Sequence, residues 1–460
     1  MEWLLNVNLA AKAMGGKILH CDGDELIQSV STDTRTIKDG GLFFALRGER
    51  FDGHKFVPDA VAAGAICCVV NEESQQFDGL PVIVVEDTHR ALRALAEEYR
   101  KQFRIPVVGI TGSVGKTSTK EMIASVLREN YRTHMTQGNF NNEIGLPLTV
   151  FDLMSEDEMM VLEMGMSGFG EISRLTRIAK PETAVITNIG LSHIEHLGSR
   201  EGIKQAKLEI LEGLQMDGTV ILNGDDDMLW DSRGEMEFET LYFGIRNKNC
   251  DLVATDVRMY SDGSEFTCKI DGESHKFSVT VPGEHHIYNA LAAILVGLKY
   301  NISIEDIKQG VRKFAPSGLR QTLIEYPNYK VIRDCYNASP ASMKSGLEVL
   351  SLTQCQGRRV ACLADMLELG NASEKAHYHV GRLTVEYGVD CLIAIGQEAK
   401  QIAKGAIDAG MNPADVYEFD SNAAAMEQLP RLLKKQDLVL VKGSRGMHLE
   451  EIAEAIGELE

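Results

Sequence analysis

The chain has 460 residues, too many for one ordinary core, and its length points to about three domains. It is 44% hydrophobic and 25% charged, a globular composition, with a formal net charge of −20. That acidic balance excludes nucleic-acid binding as a main role and requires any phosphate ligand to sit in a local basic pocket. No apolar run approaches the ~20 residues of a membrane span. Residues 1–13 lack the basic start and cleavage-like site of a secretory leader. The nine cysteines are scattered, without C-x-x-C spacing. Reduced thiols and a cytoplasmic location are therefore expected, rather than a disulfide framework or a metal site.

Residues 1–86 read as a small α/β domain. Val30-Ser-Thr-Asp-Thr-Arg35 leads into a candidate buried strand at 40–46. The polar loop Arg47-Gly-Glu-Arg-Phe-Asp52-Gly53-His54 follows. By chemistry alone it is either a solvated turn or a nucleotide-sugar contact. A short amphipathic helix is predicted over 56–65 and a strand over 66–70.

A second domain is expected over 87–314. It opens with a helix at 87–104, with Leu92, Leu95, Ala96 and Tyr99 on one face, and then a buried parallel strand at 105–110. Gly109, Gly112 and Gly115 let the chain turn tightly before a helix over 117–130. Strand, glycine turn, Lys116-Thr117 and helix make a phosphate cradle. The backbone amides of Gly112, Ser113, Gly115 and Ser118 face the anion, Lys116 neutralises it, and Thr117 can ligate Mg²⁺.

Gln137-Gly-Asn-Phe-Asn-Asn142-Glu-Ile-Gly145 is an amide-rich turn. The predicted strand 159–165 carries Glu163 at its carboxyl end, where a Mg²⁺ ligand belongs beside a phosphate loop. After a strand at 181–189, Ser192-His193-Ile-Glu195-His196 fits metal or phosphate chemistry, or a surface-satisfied histidine. On a predicted helix over 199–214, Lys204 and Lys207 read from sequence physics as a solvated basic face. Alternating residues over 251–281 predict a small antiparallel sheet. Gly283-Glu-His-His286-Ile-Tyr-Asn289 opens another helix.

Residues 315–460 alternate predicted strands (330–334, 358–364, 391–395, 438–441) with helices, the pattern of a doubly wound, Rossmann-like parallel sheet. Three stretches fall at strand ends, where such sheets bind ligands: Asp334-Cys-Tyr-Asn337-Ala-Ser-Pro340, Ala364-Asp-Met-Leu-Glu-Leu-Gly370 and Val441-Lys442-Gly-Ser-Arg445-Gly446. Lys442 and Arg445 beside glycines form a candidate anion site.

The loop spacing Gly109-x-x-Gly112-x-x-Gly115-Lys116-Thr117 departs from the generic phosphate loop, which has a glycine where Ile110 stands. It resembles the Mur ligase family, ATP-dependent enzymes that add amino acids to UDP-muramoyl peptides. The resemblance covers nearly the whole chain. It implies an α/β fold of three domains: a UDP-binding domain, a central ATPase domain with a mostly parallel sheet, and a Rossmann-like ligase domain. It also makes Thr32, Asp33, Arg35, Asp52 and His54 uridine-nucleotide contacts, and Asn139, Asn141 and Asn142 contacts near the muramoyl substrate and γ-phosphate.

In the same family pattern Lys207 is a carbamylated lysine serving a second Mg²⁺ with His193, while Thr117 and Glu163 serve the first. Asn289 meets adenine, and His286 stands where the family has asparagine. Arg320 and Asp334 reach the nucleotide from the last domain, where Asn337, Lys442 and Arg445 face substrate. The Asp334-Cys-Tyr-Asn-Ala-Ser-Pro340 and Asp365-Met-Leu-Glu-Leu-Gly370 stretches resemble the branch that adds D-alanyl-D-alanine to UDP-N-acetylmuramoyl-tripeptide, forming ADP through an acyl phosphate. A monomer needing ATP and Mg²⁺, with neither nucleic-acid nor membrane partner, is expected. The competing expectations are the branch adding lysine or diaminopimelate, a folylpolyglutamate synthetase, and a non-catalytic nucleotide-binding protein.

Overall fold

Three sheets in succession carry the candidate residues at their carboxyl ends. The computed structural model describes residues 5–48, 51–71, 77–316 and 318–459. Glu49 and Arg50 of the polar loop, and Ser317 between the last two sheets, lie outside the described residues.

The first sheet has five strands in the order Lys17–Leu19, Val82–Val85, Ala65–Asn71, Gly41–Phe44, Ser29–Ser31. Only the short edge strand Lys17–Leu19 runs antiparallel. This sheet brings Cys21 and Cys67 together, and the two are bonded with their Cα atoms 6.3 Å apart. The expectation of reduced thiols is corrected for this pair. Their 46-residue separation gave no spacing signal, and it is the pairing of the edge strand beside Val82–Val85 that joins them.

The central sheet has seven strands, all parallel, in the order Leu252–Val253, Glu239–Gly244, Thr219–Asn223, Thr183–Ile186, Val107–Thr111, Met159–Glu163, Thr133–Met135. Val107–Thr111 is buried along its whole length, as a strand covered by helices on both faces must be. The helix Thr88–Arg100 closes one face within a core shared with the first sheet. Helices Lys116–Leu127 and Glu284–Lys299 close the other. A separate three-stranded antiparallel sheet, Thr255–Tyr260, Gly263–Ile270 and Glu273–Val279, packs against that second core, with Phe266 and Phe277 stacked 5.6 Å apart. Leu252–Val253, expected in this antiparallel unit, instead extends the parallel sheet.

The last sheet has six strands in the order Thr322–Glu325, Lys330–Arg333, Leu438–Lys442, Arg359–Ala364, Cys391–Ile395, Val416–Phe419. It is mixed rather than purely parallel, because Thr322–Glu325 pairs antiparallel to its neighbour. Both edge strands escaped the sequence reading. They are half exposed and carry polar residues, so no apolar run marks them. The helix predicted over 199–214 is α-helical only at Arg200–Leu208 and tightens to a 3₁₀ turn at Glu209–Gly213.

Candidate active site

Ile110 and Thr111 end the central strand, and the chain must turn at once to start the helix Lys116–Leu127. Gly112 (φ +146°) makes that turn against Thr187, where any Cβ would lie 1.9 Å from the Thr187 hydroxyl. The loop is clamped by its neighbour strand. Asn188 accepts from the Val114 N–H at 3.0 Å and donates to the Val114 carbonyl at 2.9 Å, and the Ser113 hydroxyl accepts from the Gly190 N–H at 2.9 Å. Lys116 curls back to donate to the Gly112 carbonyl at 2.8 Å, and burial lowers its pKa.

Glu163 ends the next strand, beside the loop. Its carboxylate accepts from the Thr117 hydroxyl at 2.7 Å and from the Asn141 amide at 2.8 Å, and it is 1% exposed. The amide-rich turn is thus part of the site: Asn141 fixes Glu163, and Asn142 accepts from the Gly145 N–H at 2.8 Å where the helix Gly145–Phe151 begins. Asn289 accepts from the Thr119 hydroxyl at 2.9 Å, which sets it against the phosphate-loop helix. His286, buried, faces the Asn289 amide at 3.5 Å through Nδ1. His193 lies at the cleft wall, and Lys207, only 2% exposed, belongs to the same charge cluster. Burial and the repelling charge of Lys116 push the Lys207 pKa well below that of a free lysine. Among the described residues it has no side-chain hydrogen bond or ion pair. The solvated basic face is thereby corrected for Lys207.

The last sheet closes the cleft from the opposite side. Asp334 and Lys442, from the ends of adjacent strands, form a buried pair at 2.7 Å, and Lys442 also donates to the Asn337 carbonyl at 3.1 Å. The Arg320 guanidinium lies 4.1 Å over the Tyr336 ring, and Asn139 reaches the Tyr336 hydroxyl across the cleft. The whole forms a cavity of about 320 Å³ lined from both sheets, Lys116, Glu163, His193, Arg320, Asp334 and Lys442 among its walls.

Arg445 is not in it. Its side chain pairs with Glu450 at 2.9 Å and is 55% exposed, while Lys442 pairs with Asp334. Sequence reasoning also missed Asn188, Tyr336 and His285. His285 donates from Nε2 to the Gln321 side-chain oxygen at 2.9 Å, and its buried Nδ1 has no partner among the described residues. Burial holds its pKa to about 4. Tyr336 and His285 lay inside stretches already singled out but were given no role. Asn188 carried no motif signal, only a position after a strand end.

The expected uridine contacts lie apart from this cavity. Parallel strands Ser29–Ser31 and Gly41–Phe44 are neighbours, so the turns after them are adjacent. In the first, Asp33 pairs with Arg35 at 2.6 Å, and that partner holds the Asp33 pKa to about 2. Thr32 precedes them, half buried. In the second, Asp52 bonds His54 Nδ1 at 2.7 Å, and the Asn71 N–H donates to His54 Nε2 at 3.3 Å. His54 is 2% exposed with both ring nitrogens engaged, so it shapes the loop rather than presenting itself to a ligand.

No three of His, Cys, Asp and Glu gather to hold a metal among the described residues. A cation beside Thr117 and Glu163 would complete its shell with phosphate oxygens, which suits Mg²⁺. Their hydroxyl and carboxylate already converge at 2.7 Å.

Comparison with known proteins places this geometry. Mur ligase family models match three segments: the catalytic domain over residues 26–100, the middle domain over 110–297, and the glutamate ligase domain over 320–445. The UDP-N-acetylmuramoyl-tripeptide--D-alanyl-D-alanine ligase of Bacillus subtilis (strain 168) is 41% identical over 436 residues, 94% of each chain. Among solved structures, MurF from Acinetobacter baumannii matches with a TM-score of 0.88 at 30% identity over 98% of each chain. MurF ligase from Thermotoga maritima in complex with ADP matches with a TM-score of 0.81 at 27% identity, over 94% of this chain and 97% of that one.

Proposed function

The chain belongs to the Mur ligase family, and from that premise we propose that it joins D-alanyl-D-alanine to UDP-N-acetylmuramoyl-tripeptide, with ATP cleaved to ADP and phosphate. The observation that carries this reading is a single cleft that collects the phosphate loop, Glu163, and Arg320, Asp334 and Lys442 of the last sheet. Similarity to the named ligase over 94% of the chain supports the choice of amine. No helix among the described residues is long and apolar enough to cross a membrane, in keeping with a precursor-building enzyme of the cytoplasm. On this reading residues 1–86 hold the uridine nucleotide through Thr32, Asp33, Arg35 and the Asp52 loop. Residues 87–314 bind ATP, and 315–460 close over it.

Lys116 and the loop amides hold the phosphates, Asn289 and Arg320 the rest of the nucleotide. Thr117 and Glu163 fit one Mg²⁺; His193 and Lys207 fit a second. Mg²⁺ would spread the charge of the transferring phosphoryl group. Burial and the charge of Lys116 favour the neutral, nucleophilic form of the Lys207 amine, and its addition to CO₂, with loss of a proton, would give an anionic carbamate ligand.

The tripeptide's terminal carboxylate, beside Asn139, Asn141, Asn142 and Asn337, attacks the γ-phosphorus and ADP departs. The D-alanyl-D-alanine amine then attacks the acyl carbon, loses a proton, and phosphate leaves with the carboxylate's own oxygen. Closing of the walls from the two sheets would exclude water from the acyl phosphate. Tripeptide labelled with ¹⁸O in that carboxylate tests the route. One labelled oxygen should appear in each inorganic phosphate released; unlabelled phosphate would reject acyl phosphate formation.

A further inference from the structure

The loop that carries His193 touches the last domain on its other side. It follows the strand Thr183–Ile186 and precedes the helix Arg200–Leu208. Leu191 packs against the core of the last sheet. The Glu195 N–H donates to the Glu368 carbonyl at 3.4 Å. The Glu368 carboxylate bonds Nδ1 of His193. Glu368 therefore holds this loop with both its backbone and its side chain.

Both ends of that contact are left-handed. His193 has φ +64° and Glu368 φ +61°, a region that a Cβ disfavours and that persists in non-glycine residues only where the surroundings hold it. The carboxylate has no proton to give, so His193 donates Nδ1–H and keeps the lone pair on Nε2. That tautomer can ligate a cation through Nε2.

We propose that Glu368 is a positioning residue for the second cation, fixing the tautomer and orientation of His193 from the neighbouring domain. Because the carboxylate arrives only with the last domain, second-cation binding and domain docking are coupled. Each favours the other, as linkage requires. The inference rests on the reading of His193 and Lys207 as that cation's ligands.

The test titrates Mn²⁺ into the full chain with a non-hydrolysable ATP analogue, following bound Mn²⁺ by paramagnetic resonance. Parent protein should hold two ions. Glu368→Ala should weaken the second roughly 10- to 100-fold and leave the first within about twofold. Glu368→Gln, which keeps an acceptor oxygen without the charge, should fall between. In a His193→Ala background, Glu368→Ala should add nothing. Glu368 is 45% exposed and fills no core, so these variants should fold. A second ion bound as tightly by Glu368→Ala as by the parent overturns the inference and leaves the two-ion reading standing. A parent that holds one ion overturns both. An equal loss for both ions, unchanged in the His193→Ala background, would give Glu368 a general structural role and overturn the coupling.

Discussion

Lys116 shows how one side chain carries chemistry without carrying the fold. Among the described residues its amine reaches only the Gly112 carbonyl of its own loop, and it fills no core. Lys116→Ala should therefore fold normally, with a melting temperature close to that of the parent. It removes a charge-assisted contact at a developing charge, worth about 3 kcal/mol or roughly a hundredfold in turnover. Near-parent turnover would remove Lys116 from the mechanism. Lys207 is the reverse case, a buried amine with no acidic partner among the described residues. Lys207→Ala should lose most activity and regain part of it with added acetate, which can occupy the vacated space as an anion. Lys207→Gln, of similar length but uncharged, should not regain activity without the anion. Full activity of Lys207→Ala at low bicarbonate would contradict the carbamate. The sequence made Lys116 legible through the glycines and the Lys-Thr pair of its loop, and Glu163 through its place at the end of an apolar strand. It left Lys207 to resemblance, since a helix pattern does not say which lysine faces inward. Lys442 and Arg445, close in sequence, take different partners, Asp334 and Glu450, which sequence adjacency did not show.

At the scale of elements, the site depends on how the phosphate-loop helix is seated. Lys116–Leu127 packs against the helices Glu284–Lys299 and Ile304–Lys313, and small residues allow the close approach. A Cβ on Gly310 would lie 2.5 Å from the Val126 Cα, a backbone atom that cannot move alone. Gly310→Ala should cost about 1–3 kcal/mol through overpacking. Because the displaced helix also carries Thr119, whose hydroxyl holds Asn289 at 2.9 Å, ATP affinity should fall as well. Calorimetric melting and nucleotide titration check both; an unchanged melting temperature would mean that the helices part without strain. Buried strands were readable because they are continuous apolar runs. Thr322–Glu325 and Val416–Phe419 were not, since edge strands alternate with solvent and carry polar residues. The left-handed residues at His193 and Glu368 had no sequence signal, because neither is glycine.

At the scale of the molecule, the candidate contact residues are divided among three sheets. The phosphate loop and Glu163 come from the central one, Asp334 and Lys442 from the last, and the candidate uridine turns stand apart on the first. Three α/β units in this order were legible from the alternation of strands and helices. The meeting of the last two around one cavity was not, since contacts such as Asn139 with Tyr336 join residues far apart in the chain. That convergence matters only if the cleft selects the predicted amine. The most direct measurement is phosphate release from ATP with UDP-N-acetylmuramoyl-tripeptide, comparing D-alanyl-D-alanine, lysine, diaminopimelate and glutamate as the amine. A parallel series uses the UDP-muramoyl-dipeptide. Release should require the tripeptide and D-alanyl-D-alanine together, with mass spectrometry detecting the pentapeptide product. Faster turnover of lysine or diaminopimelate on the dipeptide would contradict the account and assign the chain to the neighbouring branch of the family.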